Sequence, residues 1–340
     1  MSDNRIASFE AGRLIALLGV IAIHSQVFIQ APLITGEPWL GLLINQLSRF
    51  AVPLFFIMAG YFIAPKLSTL PSSTVKQYSK PLLKVWLVWS AIYFLVPFNL
   101  QLAWEEGYLA ERNGYWQYLL SQPLNTLFEG SLVHLWYLPG LICGLSVIAV
   151  CCHLKKQNLI LPIAIGLYLF GLAAGSYGAL TGLESPLFTR NGPFMSTLML
   201  AAGFKIRQSG WQLSARNAAG LAICGMGLHM AEAGFLMRYD VPFNMHDFLL
   251  GTPLWGAGLF LMLKQRPLFG QSLAKLNISK HVLGIYLLHL LIIIYLMQLL
   301  PLLGITGYAN DILLFVLTCL ISYGVVALIN KTPLRTLLLR

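Results

Sequence analysis

Apolar residues run through this chain in long blocks separated by short polar loops. A helix needs roughly 17–25 such residues to cross a bilayer. Ten blocks are readable, at 12–30, 43–64, 81–99, 134–152, 159–179, 192–206, 216–236, 247–263, 281–300 and 311–329. The sixth is short, and Pro193 and Gly203 make it irregular. Between the third and fourth lies YWQYLLSQPLNTLFEGSLV at 115–133, apolar but studded with polar residues. It reads as a re-entrant or interfacial segment on the side opposite the N-terminus. Block 12–30 reads as a retained helix rather than a cleaved signal, because nine more apolar segments follow it. The pattern predicts an all-α integral membrane protein: about ten transmembrane helices in one bundle with a central cavity, residues 1–340 forming a single domain.

Loop charge predicts the orientation. One set of loops carries Lys66, Lys76, Lys80 and Lys84, then Lys155 and Lys156, then Lys205, Arg207 and Arg216, then Lys264, Arg266, Lys275 and Lys280. The tail adds Lys331, Arg335 and Arg340. The alternate loops carry Glu37, Glu105, Glu106, Glu111, Glu184, Asp240 and Asp311, and their only basic residues are Arg112, Arg190 and Arg238. Cytoplasmic loops hold the excess of Lys and Arg. Both termini are therefore expected in the cytoplasm, which an even number of spans requires.

Composition agrees. The 340 residues are 57% hydrophobic and 10% charged, with a mean hydropathy of +0.73. A soluble protein of this length has too little polar surface to cover so much apolar area. The net charge of +10 does not point to nucleic acid, because the positives fall in short loops between apolar blocks. The five cysteines show neither a zinc spacing nor a disulfide framework. Cys151-Cys152-His153 lacks a second ligand pair and reads as packing at a helix end, so no metal is expected.

Polar residues inside the blocks are the candidates for chemistry. Arg13 and His24 lie eleven residues apart in the first block. Eleven residues at 100° each return to the same stripe after three turns, about 16 Å along the axis. Glu10, three residues before Arg13, lies on the same side within pairing reach. Singly, Arg13 reads equally as an interface anchor and His24 as a helix–helix hydrogen bond. Together they suit one cleft that lines both. Arg49 lies near the predicted depth of His24, and either pairs with an acid such as Glu37 or Glu129 or faces an anionic or hydroxyl-rich ligand. Pro53 is expected to kink the second helix or free a carbonyl, and Ala59 and Gly60 to allow close helix contact. Lys80 and Lys84 share a helix face and serve either topology and lipid attraction or a polyphosphate beside Arg13. His134 and His289 join His24 in the middle or outer part of the bundle, and a neutral imidazole suits general-base work. No Walker loop, GxSxG elbow, HExxH or dinucleotide fingerprint occurs in a usable context.

Four segments resemble the integral-membrane acyltransferase family 3. They are Arg13-x10-His24, the VPLFF block from Val52 to Tyr61, HLWYLP at 134–139 and LGIYLLH at 283–289. Each is moderately specific; four in order along nearly the whole chain are strong. Departures are Glu10 where the family usually has Asp, Ala59 where it has the serine of SGY, and lysines where the stretch after helix two is often Arg-rich. Lysine binds phosphate as a point charge, without the fork of arginine. No periplasmic hydrolase-like domain is expected from these 340 residues.

The resemblance implies transfer of an acyl group, usually acetyl from cytoplasmic acetyl-CoA, to a hydroxyl of a cell-surface glycan or lipid-linked sugar, in the bacterial cytoplasmic membrane. On that reading His24 and Glu10 are catalytic, and Arg13, Lys80 and Lys84 hold the acetyl-CoA head. Arg49, His134 and His289 bind the acceptor. Membrane lipids surround the protein, and neither nucleic acid nor metal takes part. General-base and covalent acyl-histidine routes both remain open. The competing class is a transporter of a sugar- or acyl-linked anion, since buried ionisable groups and broken helices are also transporter traits.

Overall fold

The computed structural model describes residues 6–29, 34 and 36–339; Arg340 and the end of block 12–30 lie outside them. Among the described residues the regular structure is helical, with one isolated bridge between Ile34 and Glu37. The first half holds α1 (Ala7–His24), α2 (Trp39–Leu47), α3 (Ala51–Thr69), α4 (Pro71–Leu95) and α5 (Leu100–Glu105). It continues through α6 (Tyr108–Ser121), α7 (Pro123–Glu129), α8 (Tyr137–His153) and α9 (Ile160–Ala173). The second half holds α10 (Gly178–Thr181), α11 (Pro193–Ser209), α12 (Ala215–Leu236), α13 (Gly251–Gln265) and α14 (Gln271–Lys275). It closes with α15 (Val282–Leu302), α16 (Gly307–Ile329) and α17 (Arg335–Leu338).

Among the described residues, six helical stretches are long and apolar enough to cross a membrane: Ala7–His24, Trp39–Thr69, Val133–His153, Ala215–Tyr239, Ile278–Leu302 and Gly307–Ile329. Helices also stand at the other four expected blocks, but they differ from them. α9, α11 and α13 have 14, 17 and 15 residues, at or below the length of a simple span. α4 has 25 residues, but Lys76, Lys80 and Lys84 lie along it, up to its middle. Large apolar side chains face outward, among them Leu320 at 61% and Leu328 at 63% exposed on α16. That is the surface a lipid-facing helix presents.

Two boundaries correct the sequence reading. Block 43–64 is two helices, because the chain turns at Ser48–Phe50. Pro53 sits in the first turn of α3, where its missing N–H has no intrahelical partner to lose. It therefore ends no helix and frees no carbonyl. Block 12–30 ends early: α1 stops at His24, and Gln26 and Phe28 take positive φ values of 49° and 61°. Such conformations are uncommon outside glycine.

Helix directions place the site. A Cβ on Gly12 would meet Met58, and one on Gly19 would meet Ala51, so α1 and α3 run antiparallel. α15 runs with α1, since Ser279 just before it donates to the Glu10 carboxylate while His289 meets His24. α11 lies at the centre, packed on α3, α8 and α9. It touches α3 backbone to backbone: a Cβ on Gly203 would lie 1.9 Å from the Ile57 carbonyl oxygen, and one on Gly60 2.1 Å from that of Leu200. The close contact expected of Gly60 is therefore made.

Candidate active site

At the Ala7 end of the bundle, α1, α3, α4, α8 and the start of α15 enclose a cavity of about 560 Å³. Its mouth carries three cations, Arg13, Lys66 and Lys280, with Gln77 and Ser279 beside them. No Asp or Glu is among its lining residues. Arg13 lies over the Phe62 ring, 5.6 Å from its centroid, a cation–π contact that uses the face of the guanidinium and not its N–H edge. Deeper, the walls turn apolar with Val52, Phe55, Leu138 and Leu141, and the inner end carries Tyr137 and Tyr286. From Lys66 to Val52 the cavity follows α3 for about 21 Å. It is positive outside and apolar inside, a shape suited to a polyanion with a thin uncharged arm.

Beyond Tyr286 three histidines meet. Ring centroids are 5.2 Å apart for His24 and His289, 5.1 Å for His134 and His289, and 6.4 Å for His24 and His134. Each comes from a different place: the last turn of α1, the single 3-10 turn before α8, and the third turn of α15. Tyr286 stands against two of them, its ring 5.5 Å from His134 and 5.8 Å from His289, and its hydroxyl donates to the His134 carbonyl. None of the three histidines lines the cavity; Tyr286 is the side chain that faces both.

Backbone carbonyls fix two of the imidazoles. His289 Nδ1 is 2.6 Å from the Tyr286 oxygen, and His134 Nε2 is 3.1 Å from the Leu287 oxygen. A carbonyl only accepts, so each of these nitrogens carries the proton. In the neutral rings His289 Nε2 and His134 Nδ1 are then lone pairs, and both are buried without a partner. Tyr93 braces the same spot, its hydroxyl donating to the Leu287 oxygen at 2.5 Å. Unpaired buried acceptors are rare in folded proteins, and a catalytic role is one of the reasons for which they persist.

The far side of His24 is charged. Arg49 donates to Asp247 at 2.6 Å, to Asn45 at 3.1 Å and to the Asn244 carbonyl at 2.8 Å. Arg190 bridges Asp247 at 3.2 Å and Glu129 at 2.5 Å. Two cations and two anions thus alternate, and Arg49, Asp247 and Arg190 all lie within electrostatic reach of His24. The acid expected for Arg49 was Glu37 or Glu129. Its partner is Asp247, nearly two hundred residues along the chain, and Arg190 holds Glu129.

Of the residues singled out from sequence, His24, His134, His289 and Arg49 come together at one end, and Arg13 lies at the cavity mouth. Glu10 stays apart. It is fourteen residues from His24, about 21 Å along a helix, and accepts from Ser279. Among the described residues it forms no ion pair with Arg13, so the expected pairing is not made. Lys80 and Lys84 do not line the cavity. Lys80 is exposed, and Lys84 donates to the Thr336 carbonyl at 2.6 Å. Lys66 and Lys280 occupy the mouth instead; sequence had read them only as topology signals. Tyr286 and Asp247 were also missed. Arg190 carried a usable signal, as one of three basic residues in the acidic loops.

A cationic mouth and an apolar throat thus lead toward a cluster of three histidines, in a bundle that includes helices of membrane-spanning length. The chain belongs to acyltransferase family 3: the family model, described as an acyltransferase domain, matches residues 6–331. Among curated proteins it is 30% identical over 259 residues to a serine/alanine racemase of Enterococcus gallinarum, a match covering 69% of this chain and 34% of that protein. It is 27% identical over 318 residues to an amino-acid racemase of Enterococcus faecalis, covering 86% of this chain and 41% of that protein. The chain thus spans well under half the length of these relatives. No solved structure matches it.

Proposed function

We propose that this acyltransferase moves an acetyl group from cytoplasmic acetyl-CoA to a hydroxyl of a cell-surface glycan or lipid-linked sugar. The observation that carries the reading is the cluster of three histidines just beyond Tyr286, at the inner end of a cavity whose mouth holds Arg13, Lys66 and Lys280. The polyanionic head of the donor sits at those cations, and its arm extends along α3 toward Tyr286. Lys80 and Lys84, on the same end but off the cavity, add only long-range attraction. Glu10 acts at the mouth by holding Ser279.

His24 is the general base. It takes the proton of the acceptor hydroxyl as that oxygen bonds to the thioester carbonyl carbon. When the tetrahedral adduct collapses, the C–S bond breaks and His24 returns the proton to the leaving thiolate. Arg49, with its partners Asp247 and Arg190, orients the acceptor on the far side of His24. His134 Nδ1 accepts from a second hydroxyl of the acceptor, next to the one that reacts. The reading includes ten membrane-crossing helices, with both termini in the cytoplasm and the protein in the bacterial inner membrane. α4, α9, α11 and α13 then cross as partly sheltered helices, α11 at the bundle centre.

The racemase names belong to proteins more than twice as long, and their named activity is not assigned to this chain. The test is direct. Purified protein given acetyl-CoA and a lipid-linked glycan fraction releases free thiol, the glycan gains the mass of one acetyl group, and Arg13→Ala raises the donor KM. A protein that leaves the thioester intact with every acceptor fraction belongs to the transporter class instead.

A further inference from the structure

The histidine cluster contains few uncommitted donors, and that assigns a role to His289. His289 Nδ1–H is committed to the Tyr286 carbonyl. His134 Nε2–H is committed to the Leu287 carbonyl. The Tyr93 hydroxyl goes to the Leu287 carbonyl, and the Tyr286 hydroxyl to the His134 carbonyl. What remains on these two imidazoles is acceptor capacity, at His289 Nε2 and His134 Nδ1, both buried and unpartnered. Among the described residues, His24 is the one ring of the three whose N–H no carbonyl takes. It lies closer to His289 than to His134, at 5.2 Å against 6.4 Å between centroids. The two rings form no hydrogen bond in this structure, where His289 Nε2 has no partner, but at 5.2 Å between centroids they are near enough for one to form when the His24 ring turns.

We infer that His289 is a positioning residue: its Nε2 accepts the N–H of His24 and so leaves the other His24 nitrogen as the lone pair that meets the acceptor hydroxyl. The arrangement runs from the Tyr286 carbonyl through the His289 ring to the His24 ring. It has the logic of a base oriented by a third group, with a neutral imidazole where a carboxylate commonly stands. Asp247, a carboxylate within electrostatic reach of His24, cannot fill that place, because Arg49 and Arg190 hold both of its oxygens. A neutral orienter also suits a buried site, where a bare carboxylate is costly. Catalytic hydrogen bonds are often long before substrate binds, so the contact tightens when the hydroxyl arrives.

This role rests on the acyl-transfer reading, and the experiment separates the two. Full-length protein in detergent is assayed for thiol release from acetyl-CoA with the lipid-linked glycan fraction as acceptor, and for acetyl-CoA binding by calorimetry. His289→Phe keeps the ring volume and removes the acceptor. It should lower kcat about 10²-fold while the donor Kd stays within about 2-fold. His289→Gln, whose Oε1 accepts, should recover most of that loss. If the Phe variant does not fold, His289→Met takes its place. An apolar variant with at least half the wild-type kcat overturns the assignment and leaves acyl transfer standing. So does a Gln variant as inactive as the apolar one with donor binding intact, because acceptance alone would then not be the function. Wild-type protein that never releases thiol overturns the acyl-transfer reading and this assignment with it.

Discussion

At the residue scale, the site is organised by commitments of single nitrogens. Two histidines give their protons to carbonyls of successive residues on α15, Tyr286 and Leu287. Sequence named all three histidines but had no access to their partners. Their separations along the chain are large, and the carbonyls that fix them belong to a helix that packs on α1 only in the folded bundle. His24 carries the chemistry in this account. His24→Gln keeps hydrogen bonding but removes basicity, so thiol release should fall by about 10²–10⁴-fold with donor binding and folding unchanged. A Gln variant that keeps most of its activity would make His24 a packing residue. The mouth teaches the complementary lesson. Lys66 and Lys280 face the cavity while Lys84 turns to Thr336, and which lysine of a basic loop points inward depends on the rotation of each helix about its axis.

At the element scale, apolar periodicity located helices well and their ends less well. α1 stops at His24 instead of residue 30, which puts the histidine at a helix terminus beside an irregular turn. The α2–α3 break falls before Pro53, not at it, because the local signal of a proline does not say whether it opens a helix or interrupts one. Helix contact is decided by glycine. At Gly203 a side chain has no room, since its Cβ would meet the Ile57 carbonyl oxygen at 1.9 Å. Gly203→Ala must push α11 from α3 and should destabilise the protein by about 1–3 kcal/mol, read as a lower Tm in detergent. Gly220→Ala on α12 is the control, because nothing lies within 4 Å of its Cβ; there Tm should hold or rise. Equal Tm values for the two variants would mean that the α3–α11 contact yields without cost.

At the scale of the whole molecule, the polar groups sort to two ends. Arg13, Lys66 and Lys280 mark the Ala7 end, and the Arg49–Asp247–Arg190–Glu129 chain marks the His24 end. Between them the cavity and the histidine cluster approach each other at Tyr286. The proposed topology gives these ends opposite sides of the membrane. Single cysteines placed in the 153–158 loop and the 101–112 loop, in a background lacking the native five, should label from opposite sides in intact cells. Labelling of both from one side would overturn the ten-span orientation.

Composition, block length and four short motifs were enough to determine a helical membrane protein of the acyltransferase family, with His24, His134, His289, Arg49 and Arg13 as its notable polar residues. Those properties are local: hydropathy needs only the run of residues, and a motif only its spacing. The tertiary structure alone decided which cations ring the cavity, that Asp247 rather than Glu129 holds Arg49, and that Glu10 stands far from His24, with which it was grouped. It also decided which imidazole nitrogens remain free. Each of these turns on contacts between helices remote in sequence, and such contacts depend on packing angles and rotations that hydrophobic pattern leaves undetermined.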